Sequence, residues 1–175
     1  MTTDTDARLW DTEGHGGTTE QTRCRGSSGG LHNVPVTRYE LSLDPARLDV
    51  ELVHRLLSQH AYWALGRSRQ AQDTVIASSR NYGLYDAASG QQVAYARVVT
   101  DGATFAWLCD VIVDPGHRGK GLGVRLVEGV MADLEPLGLK RVLLATEDAH
   151  DLYRKFGFAE VSDPERWMVR LRPQS

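Results

Sequence analysis

At 175 residues the chain is long enough for one domain with a real core, since a domain of ~150 residues buries roughly 70% of the surface its unfolded chain exposes. Hydrophobic residues make up 41% and charged residues 25%, ordinary globular values. The formal net charge of −3, without a long basic run, argues against general nucleic-acid binding. Only two cysteines occur, Cys24 and Cys109, with no CxxC pair or Cys/His cluster, so neither a disulfide framework nor a metal site is favoured.

Residues 1–33 are rich in Thr, Gly, Asp, Glu and Ser, with Leu9, Trp10 and Leu31 almost alone as apolar residues. Such a segment buries too little apolar surface to offset its ordering entropy, so a disordered leader is expected, with His15 and His32 as bystanders. It has no apolar core of a signal peptide, and no run in the chain approaches the ~18 apolar residues of a membrane span. The expected compartment is the cytoplasm, with no membrane partner.

From Val36 the text becomes periodic, and residues 34–173 read as a single domain. Tyr39, Leu41 and Leu43 alternate as in a strand ended by Asp44-Pro45. Leu48, Leu52, Leu56 and Val53, Leu57 recur at helical spacing to about His60, and Ser68 is an N-cap for a second helix to about Ser79. Strands are expected over Tyr82 to Tyr85, Gln92 to Val99 and Phe105 to Val113, joined by turns at 86–90 and 101–102. A third helix, Gly121 to Glu135, carries Leu122, Leu126, Val130 and Leu134 on one stripe and stops at Pro136 and Gly138. A strand from Arg141 to Thr146, a short helix from Asp148 to Phe156, and strands Phe158 to Val161 and Trp167 to Leu171 finish the order. The expected fold class is α/β (α+β), a mixed central sheet of about seven strands with about four helices on its faces. Its strand–helix–strand unit over residues 105–146 predicts a parallel crossover.

The stretch with chemistry in it is Val111 to Gly123. After the strand, Arg118-Gly119-Lys120-Gly121-Leu122-Gly123 leads into a helix. Alternate glycines let the backbone approach a ligand, several N–H groups face one concavity at the positive end of a helix, and Arg118 and Lys120 add charge, which together suit a phosphate or pyrophosphate. A Gly-rich turn with solvated basic residues is the plainer reading. A Walker loop would need Ser or Thr after Lys120, and a dinucleotide loop would need GxGxxG directly after the strand, whereas five residues separate Val113 from Gly119; the acidic Glu147 after the next strand leaves the dinucleotide reading weakened rather than eliminated.

Arg118 to Gly123 resembles the R/Q-x-x-G-x-G/A signature of the GNAT superfamily of N-acetyltransferases. Downstream, Ala149-His150-Asp151-Leu152-Tyr153-Arg154-Lys155-Phe156-Gly157-Phe158 is similar to the family's A-x-x-L-Y-x-K-x-G-F segment, at the family's spacing. Thr146 stands where many members carry Asn. The resemblance covers residues 36–172. It implies an acetyltransferase that moves acetyl from acetyl-CoA to a primary amine of a small molecule or peptide in a ternary complex, with a non-catalytic acyl-CoA-binding domain as the alternative. It needs no metal and allows a homodimer.

Residue by residue, the resemblance implies pantetheine contacts at Val111 and Val113, with the Val111 N–H as oxyanion donor. It places the pyrophosphate on the amides of Gly119, Lys120, Gly121, Leu122 and Gly123 beside Arg118, and makes Tyr153 the general acid. Tyr153 also reads as a core aromatic. Asp110, a lone carboxylate in an apolar run, reads either as a base with a burial-raised pKa or as a structural carboxylate paired with an arginine or set at a bulge. Glu147 is the second candidate base, and a water chain needs neither. Trp63, Arg67 and Trp167 are the large residues expected near the acceptor.

Overall fold

The computed structural model describes residues 38–171. Among these a five-stranded sheet has the order β1-β2-β3-β4-β5. β1 (Tyr39–Ser42), β2 (Arg80–Asp86), β3 (Gln92–Thr100) and β4 (Phe105–Val113) are antiparallel neighbours, and β5 (Arg141–Leu143) runs parallel to β4. The helices are α1 (Val50–His60), α2 (Arg69–Ala77), α3 (Leu122–Leu134) and α4 (His150–Arg154). The expected leader, with Cys24, His15 and His32, lies outside the described residues.

Side chains set the helix starts. The Asp49 carboxylate accepts the Leu52 amide at 2.9 Å and opens α1, and the Ser68 hydroxyl accepts the Ala71 amide at 3.2 Å and opens α2, caps worth about 1 kcal/mol each. Each long helix buries one stripe. α1 packs Leu52, Val53, Leu56 and Leu57 against Tyr95 and Ile112 on one face of the sheet. α3 packs Leu122, Leu126, Val127, Val130 and Leu134 against Ala94, Ala96, Val98, Ala106 and Leu108 on the other. Each fully buried Leu or Val removes enough apolar surface to contribute roughly 1.5–3 kcal/mol.

The side-chain parity of β4 changes partway along. Ala106 and Leu108 face α3, yet Ile112, an even number of residues on, faces α1. In the ladder with β3, Arg97 pairs Cys109 and Tyr95 pairs Ile112, so Asp110 and Val111 together oppose Ala96 alone. This is a β-bulge, and one extra residue moves everything after it to the opposite face.

β5 is shorter than expected. It pairs with β4 only from Phe105 to Trp107 and ends at Leu143 rather than Thr146. From Leu108 onward no described strand lies beside that edge of β4, and the sheet opens there. The expected strands Phe158 to Val161 and Trp167 to Leu171 are not formed; among the described residues, only a 3-10 turn (Pro164–Arg166) follows α4. A strand needs a partner. β5 offers an edge of only three residues. No described helix is long and apolar enough to cross a membrane.

Candidate active site

The opening beside β4 is a cleft of about 860 Å³. One wall is β4 itself, from Trp107 to Val113; the other is the chain from Ala145 to Ala149 with Leu152 and Tyr153 of α4; His60, Tyr62 and Trp63 stand at one end, and Arg118 and Gly123 at the other. The Glu147 amide donates to the Tyr62 hydroxyl at 3.2 Å, so the α1–α2 turn reaches across to the far wall.

At the Arg118 end, Gly119 (φ +75°) and Gly121 (φ +73°) both occupy the left-handed region, which a side chain would disfavour. Gly121 immediately precedes α3 and makes no side-chain cap. The first intrahelical bond falls on the Arg125 amide, donated to the Gly121 carbonyl at 3.2 Å. The preceding first-turn amides therefore have no partner within the helix and sit at the positive end of its dipole. Arg118 donates from Nε to the Val113 carbonyl at 3.2 Å, which fixes its stem on the strand end, and Lys120 Nζ reaches the Gly116 carbonyl at 3.4 Å. The Leu122 side chain is buried under α3, so at this site the residue has only its backbone to offer. Of this loop Arg118 and Gly123 line the cleft itself, and the segment between them has the donors, charge and glycine clearance that a pyrophosphate requires.

Tyr153 is 8% exposed, with its ring edge-on to Phe158 at 5.9 Å, and it lines the cleft. Burial, then the nearby Asp148 carboxylate and Tyr62, push its phenol up to about 12, so the hydroxyl keeps its proton throughout the neutral range. Thr146, at the position where Asn was noted above, accepts the Ala149 amide at 3.1 Å and supports the entry to α4.

Asp110 faces the α1 side at the other end. Its Oδ2 accepts from Arg67 Nη1 and Arg97 Nε, both at 2.6 Å, and its Oδ1 accepts from Arg67 Nη2 and Trp63 Nε1, both at 3.1 Å. Burial alone would raise this carboxyl; the guanidiniums of Arg67 and Arg97 outweigh that and hold it below the usual carboxylate range. Of the two readings open for Asp110, this is the geometry of the paired carboxylate at a bulge, and an anion held so firmly is a poor proton acceptor.

Trp63 stands on the cleft wall, with its indole N–H committed to Asp110. Arg67 is not a lining residue; its guanidinium is spent on Asp110 and on Gln72 Oε1. Trp167 also lies off the cleft wall, with Arg141 5.9 Å from its ring centroid. Arg97, Trp107 and Tyr62 line the cleft and were missed from the sequence. For Arg97 a signal existed: a charged residue inside an apolar strand, one hairpin away from a lone aspartate. Cys109 is a free, half-buried thiol on the same wall, and burial raises its pKa, which disfavours a thiolate nucleophile.

Comparison with known proteins follows the same residues. The model of the Acetyltransferase (GNAT) family matches residues 50–158. The chain is 32% identical over 135 residues to FG08082 of Gibberella zeae, a protein assigned to the acetyltransferases, covering 67% of this chain and 76% of that one. It is 39% identical over 93 residues to the chloroplastic serotonin N-acetyltransferase 2 of Oryza sativa subsp. japonica, which covers 51% of this chain and only 46% of that relative's length. Among solved structures, a protein of Xanthomonas campestris pv. campestris assigned to the same family superposes with a TM-score of 0.72 at 42% identity, over 77% of this chain and 94% of that one.

Proposed function

The chain belongs to the acetyltransferase (GNAT) family, and from that premise we propose that it moves acetyl from acetyl-CoA directly onto the primary amine of a small molecule or peptide. The family uses acetyl-CoA as acyl donor. The observation that carries the reading is the cleft beside the unpaired edge of β4, with a glycine-loop anion site at one end and Tyr153 on its wall.

In this reading the amides of Gly119 to Gly123 and the Arg118 guanidinium hold the pyrophosphate, while Val111 and Val113 offer backbone groups to the pantetheine arm. The Val111 N–H donates to the carbonyl oxygen as it becomes negative, the kind of donor whose loss costs about 10²–10³ in kcat. Tyr153 donates to the departing sulfur. With its phenol near 12 and a thiol near 8.5, complete transfer would be uphill by about 5 kcal/mol, so the hydroxyl stabilises developing charge through a hydrogen bond.

The amine must lose a proton, because a lysine-like amine has a pKa of roughly 10.4. Glu147 lines the cleft and takes the role that the clamped Asp110 is unsuited for, either directly or through water. The aromatic faces of Tyr62, Trp63 and Trp107 form the acceptor end. Residues 34–173 suffice for this chemistry in the proposal, and removing residues 1–33 leaves turnover unchanged. The test is mass spectrometry of an amine panel incubated with protein and acetyl-CoA. An acceptor whose mass rises by one acetyl group on nitrogen is expected; acetylation at oxygen alone, or of no acceptor, refutes the reading.

A further inference from the structure

Asp110 is the one non-glycine residue with positive φ among the described residues, at +51°. Asp and Asn enter this left-handed region more readily than other side chains, but it is uncommon even for them. The strained residue is the first of the two that form the bulge opposite Ala96; the second is Val111. A bulge re-aims the peptide that follows it.

The carboxylate is only 3% exposed, and both its oxygens are engaged by donors from two separate parts of the fold. Arg97 comes from β3, and it is itself held by a hydrogen bond to the Ser79 hydroxyl at 3.2 Å. Trp63 and Arg67 come from the turn between α1 and α2. The turn is pinned in its own right, since His54 Nε2 lies 2.9 Å from the Arg67 carbonyl and Gln72 Oε1 accepts from Arg67 Nη1 at 3.1 Å. A buried ion cluster is a weak device for stability, because desolvation consumes most of its Coulombic gain. It is an effective device for fixing one geometry, and here it fixes the residue whose backbone sets the direction of the Val111 N–H.

We propose that the Arg67–Asp110–Arg97–Trp63 cluster is a clamp on the β4 bulge, and that Asp110 and Arg67 are positioning residues that hold the Val111 N–H on the developing oxyanion. This inference rests on the acetyl-transfer reading above. Asp110 acts through its own backbone and touches no substrate. Arg67 acts through Asp110, from outside the cleft. Because Trp63 belongs both to the clamp and to the cleft wall, the acceptor end and the oxyanion donor share one rigid support.

The test uses the full chain with Arg67→Gln, Arg67→Lys, Asp110→Asn and the Arg67→Gln/Asp110→Asn double variant. Asp110→Asn keeps a residue type that tolerates the left-handed region, so the backbone preference is kept while the charge is lost. Expected is a kcat lower by about 10²-fold for Asp110→Asn and about 10-fold or more for Arg67→Gln, with both KM values within about threefold, the pattern of lost transition-state stabilisation. The double variant should be no slower than Asp110→Asn, because both changes open the same clamp. Arg67→Lys should recover part of the loss, and the pH profile should keep its shape in every variant. The amide resonance of Val111 in the acetyl-CoA complex should shift in Arg67→Gln, although the residue lies outside the cleft.

Three results overturn the proposal. One is a normal kcat in folded Arg67→Gln. Another is a raised amine KM at unchanged kcat, which would make Arg67 an acceptor contact. The third is recovery of Asp110→Asn at high pH, which would make Asp110 the base. If Asp110→Asn fails to fold, the two Arg67 variants and the Val111 resonance decide alone. A wild-type protein that acetylates no amine overturns the functional reading itself, and this shows before any variant is made.

Discussion

Tyr153→Phe separates chemistry from packing because it removes one hydroxyl and leaves the ring. The ring is buried, edge-on to Phe158, and the hydroxyl makes no hydrogen bond to another described residue. Its loss therefore strands no partner, and the melting temperature should move by less than the 2–4 °C that about 1 kcal/mol would shift a domain of this size. Turnover should behave differently. A positioned donor to a charged leaving atom is worth about 10²-fold, or about 2.7 kcal/mol at 1.36 kcal/mol per decade. Because the phenol is pushed up to about 12, Tyr153 stays protonated from pH 6 to 10. The rise of the rate with pH, set by deprotonation of the amine, should then have the same midpoint in both proteins, with a lower plateau in the variant. The assay is initial-rate thiol release on the best amine, alongside a thermal melt. A variant as stable as wild type, with kcat within threefold, would remove Tyr153 from the mechanism.

Acetyl-CoA should raise the melting temperature, by about 2.7 kcal/mol of added stability at 100 times its Kd, and NADH should not; a shift with NADH alone would assign the glycine loop to a dinucleotide. Gly121→Ala places a side chain at φ +73°, at a strain cost of about 1–2 kcal/mol, and it disturbs the amides of the first turn of α3, so acetyl-CoA should bind at least several-fold more weakly by calorimetry. Unchanged affinity would move the pyrophosphate elsewhere. Asp110 is held below its unfolded value near 3.9, so the native state binds its proton less readily than the unfolded chain. Its contribution to stability is complete above about pH 4 and lost as pH falls further. Denaturant melts of wild type and Asp110→Asn should therefore differ by about 3 kcal/mol at pH 6, with the gap narrowing as pH falls below about 4, and a gap that widens in acid would contradict the pairing.

What the sequence made legible was whatever depends on near neighbours. The glycines at 119 and 121 announced a backbone free of side chains where a ligand approaches, and the structure adds that both take positive φ. The stripe from Leu122 to Leu134 announced α3, because a helical face is written at spacings of three and four. Asp110 stood out as a lone carboxylate in an apolar run, but its two readings could not be separated, since its partners lie 13 and 43 residues away. Only the folded chain brings two guanidiniums and an indole to one carboxylate, and they reverse the pKa direction that burial alone suggests. Arg67, expected on the acceptor wall for its charge, is withdrawn from it by that same bond. The largely apolar runs over 158–161 and 167–171 looked like strands, but an apolar run reports propensity and not a partner; Met168 remains 98% exposed.

The central claim is direct transfer within a ternary complex, and initial-rate kinetics of thiol release test it most directly. With acetyl-CoA and amine varied together, double-reciprocal lines should intersect, and release should require the amine. Parallel lines, with a burst of thiol in the absence of amine, would instead show an acetylated enzyme, for which Cys109 is the nucleophile on the cleft wall. Tight acetyl-CoA binding with no thiol release on any amine would contradict catalysis altogether and make the domain a binder of acyl-CoA.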